Sequence, residues 1–414
     1  MEVGDFDGNG ADDVAYVEVG PMHSLSILFG EPDAAPASPM LITTADEIVG
    51  FAPVDMRRFA QPTSDGANEI NLVTRLGDEL WAAILWGRTD RQIHAPLLVW
   101  PDTMDEPYRP VTAAVGRFEP SLEDQILFTA AVREEAAPAI AGYRIAGANE
   151  MIKERIEGLP AFAATIVGGT ALTMDLDGGG VDTPLAIGWR LDPRDTLVVG
   201  PDAPGSWKVN ETPFELHDVV PLGTDGLAGD LASAFGQWTR HVDPSVRTCF
   251  LEPDGLPTAV FVAVKPNECG HTTALYLLDA GLLAAALRGS GNPDAAEVVA
   301  GPEGETIVGA GCLQADLDDA DELAIVTLAP GLTCEQPSGE FTAQVYLADH
   351  DGNALGVPRL VGRIDTSFAP ELRNSERMPI TGVASGDSTG DGVDDLVIGT
   401  VARTLLLPGK PVNR

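Results

Sequence analysis

Three features of this 414-residue chain predict an all-β fold, a seven-bladed β-propeller of four-stranded antiparallel blades with calcium loops. An acidic, glycine-rich loop recurs four times, a pair of apolar strands follows each copy, and the strand pair returns at intervals of roughly 60 residues along the chain. No strong helical periodicity competes with that reading. One blade alone buries too little surface to be stable, so radial packing of neighbouring sheets must supply a shared core.

The first loop runs Asp5-Phe6-Asp7-Gly8-Asn9-Gly10-Ala11-Asp12-Asp13. Oxygen ligands at positions one, three, five and nine can converge on one hard cation, with the carbonyl of position seven filling a further place, and that donor set is calcium chemistry. The expected ligands are Asp5, Asp7, Asn9, the carbonyl of Ala11, and Asp13. Glycines at positions four and six allow positive φ, so the alternate side chains can all turn inward. The last loop, Asp387 to Asp395, repeats the pattern with Asp387, Thr389, Asp391, the carbonyl of Val393, and Asp395, Thr389 offering only a hydroxyl. An ordinary Asp/Asn/Gly surface turn is the alternative reading of any single copy. The ligand spacing is matched twice, which favours Ca2+.

Two copies depart from the pattern. From Asp175, Gly179 replaces the fifth ligand and Thr183 the ninth, which leaves mainly Asp175 and Asp177 for an ion. From Asp316, the stretch Asp-Leu-Asp-Asp-Ala-Asp-Glu reads as two residues short and has no glycine, with Asp316 and Asp318 as candidate ligands.

After the first loop come Val14 to Val19 and Leu25 to Gly30, and after the last come Leu396 to Gly399 and Leu405 to Gly409. Similar pairs without a good acidic loop lie at Ile70 to Thr74 with Leu80 to Gly87, Ile126 to Ala130 with Ala139 to Tyr143, and Thr258 to Val264 with Ala274 to Leu278. Taking the residue after the ninth loop position as an anchor gives 14, 70, 126, 184, 259, 323 and 396, hence seven repeats in one domain over 1–414. The seventh repeat lacks one outer strand, and the expectation is a domain of a larger protein whose further sequence completes the blade.

The loops with their trailing strands resemble the FG-GAP, or VCBS-type, repeats of integrin alpha-subunit propellers and bacterial surface proteins. The resemblance covers nearly the whole chain: specific at the first and last loops, partial at 175 and 316, and carried by strand pattern elsewhere. It implies that each calcium loop joins the first two strands of a blade and that the ions are structural.

The formal charge of −38, from 63 acidic and 25 basic residues, makes nucleic acid or an anionic membrane an improbable electrostatic partner. No apolar run reaches the length of a membrane span, Leu277 to Leu287 being interrupted by Asp279 and Gly281. Cys249 and Cys269 stand ten residues before and after one anchor, and Cys312 and Cys334 eleven before and after the next. This predicts two disulfides within blades, Cys249–Cys269 and Cys312–Cys334, with four buried free thiols as the alternative. Disulfides place the protein in an oxidising compartment, extracellular, at the cell surface or periplasmic.

No catalytic signature is present. The histidines, His23, His94, His217, His241, His271 and His350, are scattered, and the run from Gly223 to Gly229 lacks the lysine of a phosphate loop. Trp207, His217, Trp238 and His241 sit in the long connection between the fourth and fifth repeats and suit sugar or protein contact, or packing between blades. Residues 280–300 suggest a short helix on the rim. The expected function is a non-catalytic calcium-binding module of a secreted or surface protein that engages a protein or glycan ligand. A lectin ranks second and a polysaccharide-active enzyme such as a lyase third.

Overall fold

A computed structural model describes residues 1–18, 20–32, 34, 38–54, 66–76, 79–102, 108–116, 125–132, 140–146, 152–156, 166–191, 194–201, 209–214, 247–252, 255–267, 270–287, 297–299, 302–315, 320–329, 340–349, 356–367, 380–400 and 404–409. These residues form seven small antiparallel sheets, each a meander of strands consecutive in the chain. Sheet 1 takes Glu2–Gly4, Asp13–Glu18, His23–Leu28 and Met40–Ala45, and sheet 2 takes Glu47–Val54, Glu69–Leu76, Glu79–Trp86 and His94–Asp102. Sheet 3 takes Tyr108–Gly116, Gln125–Val132, Ile140–Ala146 and Ile152–Ile156, and sheet 4 takes Ile166–Met174, Thr183–Leu191, Arg194–Pro201 and Val209–Phe214. Sheet 5 takes Arg247–Cys249, Thr258–Asn267, Gly270–Asp279 and Glu297–Val299, and sheet 6 takes Thr306–Leu313, Glu322–Ala329, Glu340–Ala348 and Arg359–Ser367. Sheet 7 has three strands, Ile380–Gly386, Asp395–Thr400 and Thr404–Leu407. The second strands begin at 13, 69, 125, 183, 258, 322 and 395, one residue ahead of each repeat anchor.

Strand composition explains how the sheets stack. In Glu322–Ala329 all but the last residue is buried, so both faces of the strand lie against protein. Leu323 and Ile325 pack with Val260, Leu275 and Leu277 of sheet 5. Ala324, Val326 and Leu328 pack with Val383, Leu396 and Ile398 of sheet 7. An alternating strand would strand one apolar row in water, whereas this continuous run feeds two interfaces. Sheets 1 and 2 share a similar layer, where Ala15, Leu25, Ile27 and Phe29 meet Ile48, Ile70, Leu72 and Leu85. Burying each Leu or Ile side chain here contributes about 1.5–3 kcal/mol.

First strands lie against first strands: sheet 1 on sheet 2, sheet 2 on sheet 3, sheet 3 on sheet 4, sheet 6 on sheet 7, and sheet 7 back on sheet 1. The first strand of sheet 6 meets the first three strands of sheet 5. A helix, Ala280–Leu287, follows the third strand of sheet 5 and rests on the third and fourth strands of sheet 4. It occupies the start of the stretch where a short rim helix was expected.

The disulfide pairing differs from the sequence reading. Cys249 bonds Cys312, with Cα atoms 5.6 Å apart, and joins sheet 5 to sheet 6. The two residues stand at the ends of adjacent first strands, one register step apart (Cys249 opposite Thr258, Cys312 opposite Leu323), and those strands lie together. The symmetric spacing about each anchor therefore did not mark partners within one sheet: the bond runs between sheets. Cys269 and Cys334 lie outside the described residues.

Candidate metal centre

The first loop spans the gap between the first two strands of sheet 1, and its backbone is shaped by the side chain at position one. Asp5 accepts from the amide of Asn9 through Oδ1 at 3.1 Å and from that of Gly10 through Oδ2 at 2.9 Å. Those bonds pull the chain into a tight coil that requires positive φ at Gly8 (69°) and Gly10 (87°).

Two other loops reproduce this geometry. Asp387 accepts from Asp391 N at 2.9 Å and Gly392 N at 2.7 Å, with φ of 69° and 86° at Gly390 and Gly392. Asp175 accepts from Gly179 N at 3.1 Å and Gly180 N at 2.6 Å, with φ of 71° and 73° at Gly178 and Gly180. The loop at 175, irregular in its ligands, is thus regular in its backbone.

Position nine closes the coils of sheets 1 and 7 from the start of the second strand. Asp13 accepts from Phe6 N at 2.7 Å and Gly30 N at 2.8 Å. Asp395 accepts from Ser388 Oγ at 2.5 Å and Gly409 N at 2.7 Å. In sheet 6, Glu322 takes the same role by accepting from Ala315 N at 2.7 Å. That bond corrects the sequence alignment: Gln314 follows the first strand where Asp5 and Asp387 do, so the loop is a full nine residues, 314–322. Asp316 and Asp318 become positions three and five and lie outside the described residues. The apparent two-residue deletion came from starting the count at the first carboxylate when the first position is an amide.

Among the described residues, one set of three acidic groups gathers closely enough to share an ion. Ligand oxygens of Asp5, Asp7 and Asp13 all lie within 4.8 Å of one another. Burial pushes the Asp13 carboxyl up to about 8, and its like-charged neighbours Asp7 and Asp5 add to the rise against the amide bonds of Gly30 and Phe6. Asp7 is raised as well, chiefly by burial. Arg91 offsets part of the charge at Asp7, and the donors of the cluster are all oxygen, which fits a hard divalent cation. Asn9 Oδ1 accepts from Ala11 N at 2.7 Å, which fixes the side chain at position five. In the last loop Asp391 Oδ1 accepts from Val393 N at 3.0 Å in the same way. Thr389 follows Ser388 at the third position of that loop.

Arg91 is a participant that motif reading missed. It lies between the third and fourth strands of sheet 2, is the one non-glycine residue with positive φ (59°) among those described, and reaches into the loop of sheet 1. Its Nε donates to Asp7 Oδ2 and its Nη1 to Glu31 Oε1, both at 2.6 Å, while its guanidinium lies 5.0 Å from the centre of the Phe29 ring. It sits 84 residues from Asp7 in sequence, too far for any loop pattern to reveal. Trp207, His217, Trp238 and His241 and the 223–229 run lie outside the described residues.

No protein-family model matches the chain, and no curated protein does. Among solved structures it is similar to the extracellular domains 1–2 of Drosophila Semaphorin 1b, at 8% identity and a TM-score of 0.40 over 98% of this chain and 85% of that one. It is also similar to the V. cholerae biofilm matrix protein Bap1, at 12% identity and a TM-score of 0.28 over 98% of this chain and 76% of that one.

Proposed function

We propose that the protein is a seven-bladed β-propeller whose loops bind calcium as a structural ion, and that it serves as a non-catalytic interaction module of a secreted or surface protein. One observation carries the reading: sheets 1, 4 and 7 hold the same coiled loop between first and second strands, with the position-one carboxylate bonded to the fifth and sixth amides each time. The return of sheet 7 onto sheet 1 supports a closed ring, and the Cys249–Cys312 bond supports an oxidising compartment. The resemblance to FG-GAP repeats rests on the loops and the strand pairs behind them.

Asp5, Asp7, Asn9, the Ala11 carbonyl and Asp13 would hold the first ion, Asp387, Thr389, Asp391, the Val393 carbonyl and Asp395 the second, and Asp175 and Asp177 a third. Bound calcium supplies positive charge that cancels repulsion within a cluster. The chain's own residues set the coil, exclude water from position nine and orient the carboxylates. A ring of this kind suits a protein or glycan partner reached through its loops.

The test is calorimetric titration with calcium, followed by a glycan array read in millimolar calcium and again in chelator. Stoichiometric calcium uptake with a silent array supports a protein-binding module, and calcium-dependent binding of a defined sugar makes it a lectin. Absence of calcium uptake sinks the proposal.

A further inference from the structure

In three sheets the residue just ahead of the second strand makes a contact that no ligand role accounts for. In sheet 6, Asp321 N donates to Phe250 O of sheet 5 at 2.7 Å, and its Oδ2 accepts from Phe250 N at 2.7 Å. In sheet 7, Asp394 N donates to Gln314 O of sheet 6 at 3.2 Å, and its Oδ2 accepts from Gln314 N at 2.9 Å. In sheet 1, Asp12 N donates to Asp387 O of sheet 7 at 2.8 Å, and its Oδ2 accepts from Asp387 N at 3.0 Å. Phe250, Gln314 and Asp387 each follow directly on the first strand of the preceding sheet. The same two-bond ring is therefore built at three successive junctions, always from the eighth loop position to the first position of the sheet before.

Two further junctions carry parts of it. Asn68 of sheet 2 donates its amide to Asp5 O of sheet 1 at 2.6 Å. At the junction of sheets 3 and 4, Asp182 Oδ2 lies 2.9 Å from where a Cβ on Gly116 would stand, and Asp12 Oδ2 lies 2.7 Å from the equivalent point on Gly386. Between sheets 4 and 5 the eighth position is Pro257, which has no N–H to donate. There the helix Ala280–Leu287 reaches across instead, its first amide bonded to Pro257 O at 3.0 Å.

We propose that the eighth loop residue is an inter-sheet clasp: its backbone and carboxylate act as one unit that locks the first strand of the preceding sheet, whether or not an ion fills the loop. Aspartate suits the task because its short side chain returns an acceptor to the residue that its own N–H addresses, and a charged acceptor strengthens the bond to an amide. The doubled acids Asp12-Asp13 and Asp394-Asp395, with Asp321-Glu322, then divide their labour. The second acid of each pair closes its own loop, and the first holds the neighbouring sheet.

Hydrogen–deuterium exchange on the full chain in chelator tests this at Asp321, comparing Asp321→Ala with Asp321→Asn and reading the amides of residues 250 and 321. The alanine variant is expected to speed both amides about tenfold or more, as loss of a charged hydrogen bond implies. The asparagine variant, which keeps an accepting oxygen, is expected to hold both within a few-fold of the parent. The amide of Asn68, at a distant junction, reports general loosening. Acceleration at 250 alone would show that the bonds act singly and overturn the clasp, as would no change at either amide. Should alanine loosen the whole chain, the asparagine variant decides: retained protection at 250 and 321 supports the clasp, and lost protection overturns it.

Discussion

Arg247, in the first strand of sheet 5, donates from Nη1 to Glu2 Oε1, in the first strand of sheet 1, at 3.0 Å and across 245 residues of chain. The same guanidinium reaches the carbonyls of Met1 at 2.6 Å and Val383 at 3.2 Å, so one side chain ties sheets 5, 7 and 1. Sheets 5 and 1 are not sequence neighbours, and the bond brings the first strands of sheets 5, 7 and 1 together. Arg247→Ala is expected to cost about 1–2 kcal/mol, since charged hydrogen bonds are worth about 1.5–3 kcal/mol and partial exposure reduces that. Denaturant titration checks it, and an unchanged midpoint would remove the Arg247 tie as a stabilising element.

The disulfide gives a covalent test of sheet order. Peptide mapping without reduction should recover Cys249 joined to Cys312, and Cys249→Ser with Cys312→Ser should lower stability by about 2–4 kcal/mol for a loop of this length. Recovery of Cys249 joined to Cys269 would contradict the neighbouring placement of the first strands of sheets 5 and 6.

Much of the architecture was legible because the repeat prints itself locally. The anchors at 14, 70, 126, 184, 259, 323 and 396 fall on second strands, since the loop-to-strand boundary is marked by an acid or polar residue followed by an apolar run. What joins the sheets was not legible. Arg91 to Asp7 and Arg247 to Glu2 are contacts between residues 84 and 245 positions apart, and nothing periodic announces them. The cysteines show the same limit: spacing placed one of each pair in a first strand, while only the packing of sheet 5 on sheet 6 says which of them meet. Gln314 misled the alignment because an amide hides a loop's first position when carboxylates are being counted.

Chelation should lower the melting temperature of the protein, and Asp5→Ala combined with Asp391→Ala should abolish most of that response. With free calcium tenfold above a site's dissociation constant, each ion adds about 1.4 kcal/mol. The clustered oxygens of Asp5, Asp7 and Asp13 make the first loop the larger contributor. Scanning calorimetry with and without calcium reads both effects, and equal melting in the two conditions would refute structural calcium.

Tyr346 supplies a pH signature away from the loops. Its hydroxyl donates to Glu305 Oε1 at 2.9 Å and Oε2 at 3.0 Å, beside Thr327 and Gln344, which donate to the same carboxylate. Burial, and then the Glu305 carboxylate, push the phenol up to about 12 from an ordinary value near 10. The folded form holds this proton where the unfolded form has lost it, so stability contributed by the neutral phenol is present below pH 10 and falls as pH rises from 10 towards 12. Absorbance titration at alkaline pH should show late-titrating tyrosine absorbance that shrinks in Tyr346→Phe, burial also raising Tyr16, and that variant should lose less stability between pH 9 and 11. Titration of all tyrosines together would rule out the Glu305 bond.

Gly30 shows why the strand pairs end on glycine. It follows the third strand of sheet 1, and a Cβ there would run into the carbonyls of Asp12 and of Ser388, the latter in sheet 7. Gly87 meets the corresponding carbonyls of Asn68 and Phe6 at the next junction, and Gly409 meets that of Asp394. The glycine is demanded by close approach of backbone at a sheet junction, not by its φ. It also lets Gly30 N reach Asp13 Oδ1 at 2.8 Å and Glu31 N reach Ser388 O at 3.2 Å. Gly30→Ala must push sheet 1 from sheet 7 or bend the third strand, at about 1–3 kcal/mol as for overpacking in a core. Gly20→Ala, at an exposed turn, should stay within about 0.5 kcal/mol. If thermal denaturation finds the two substitutions equal, the glycine marks a simple turn and the junction does not depend on it.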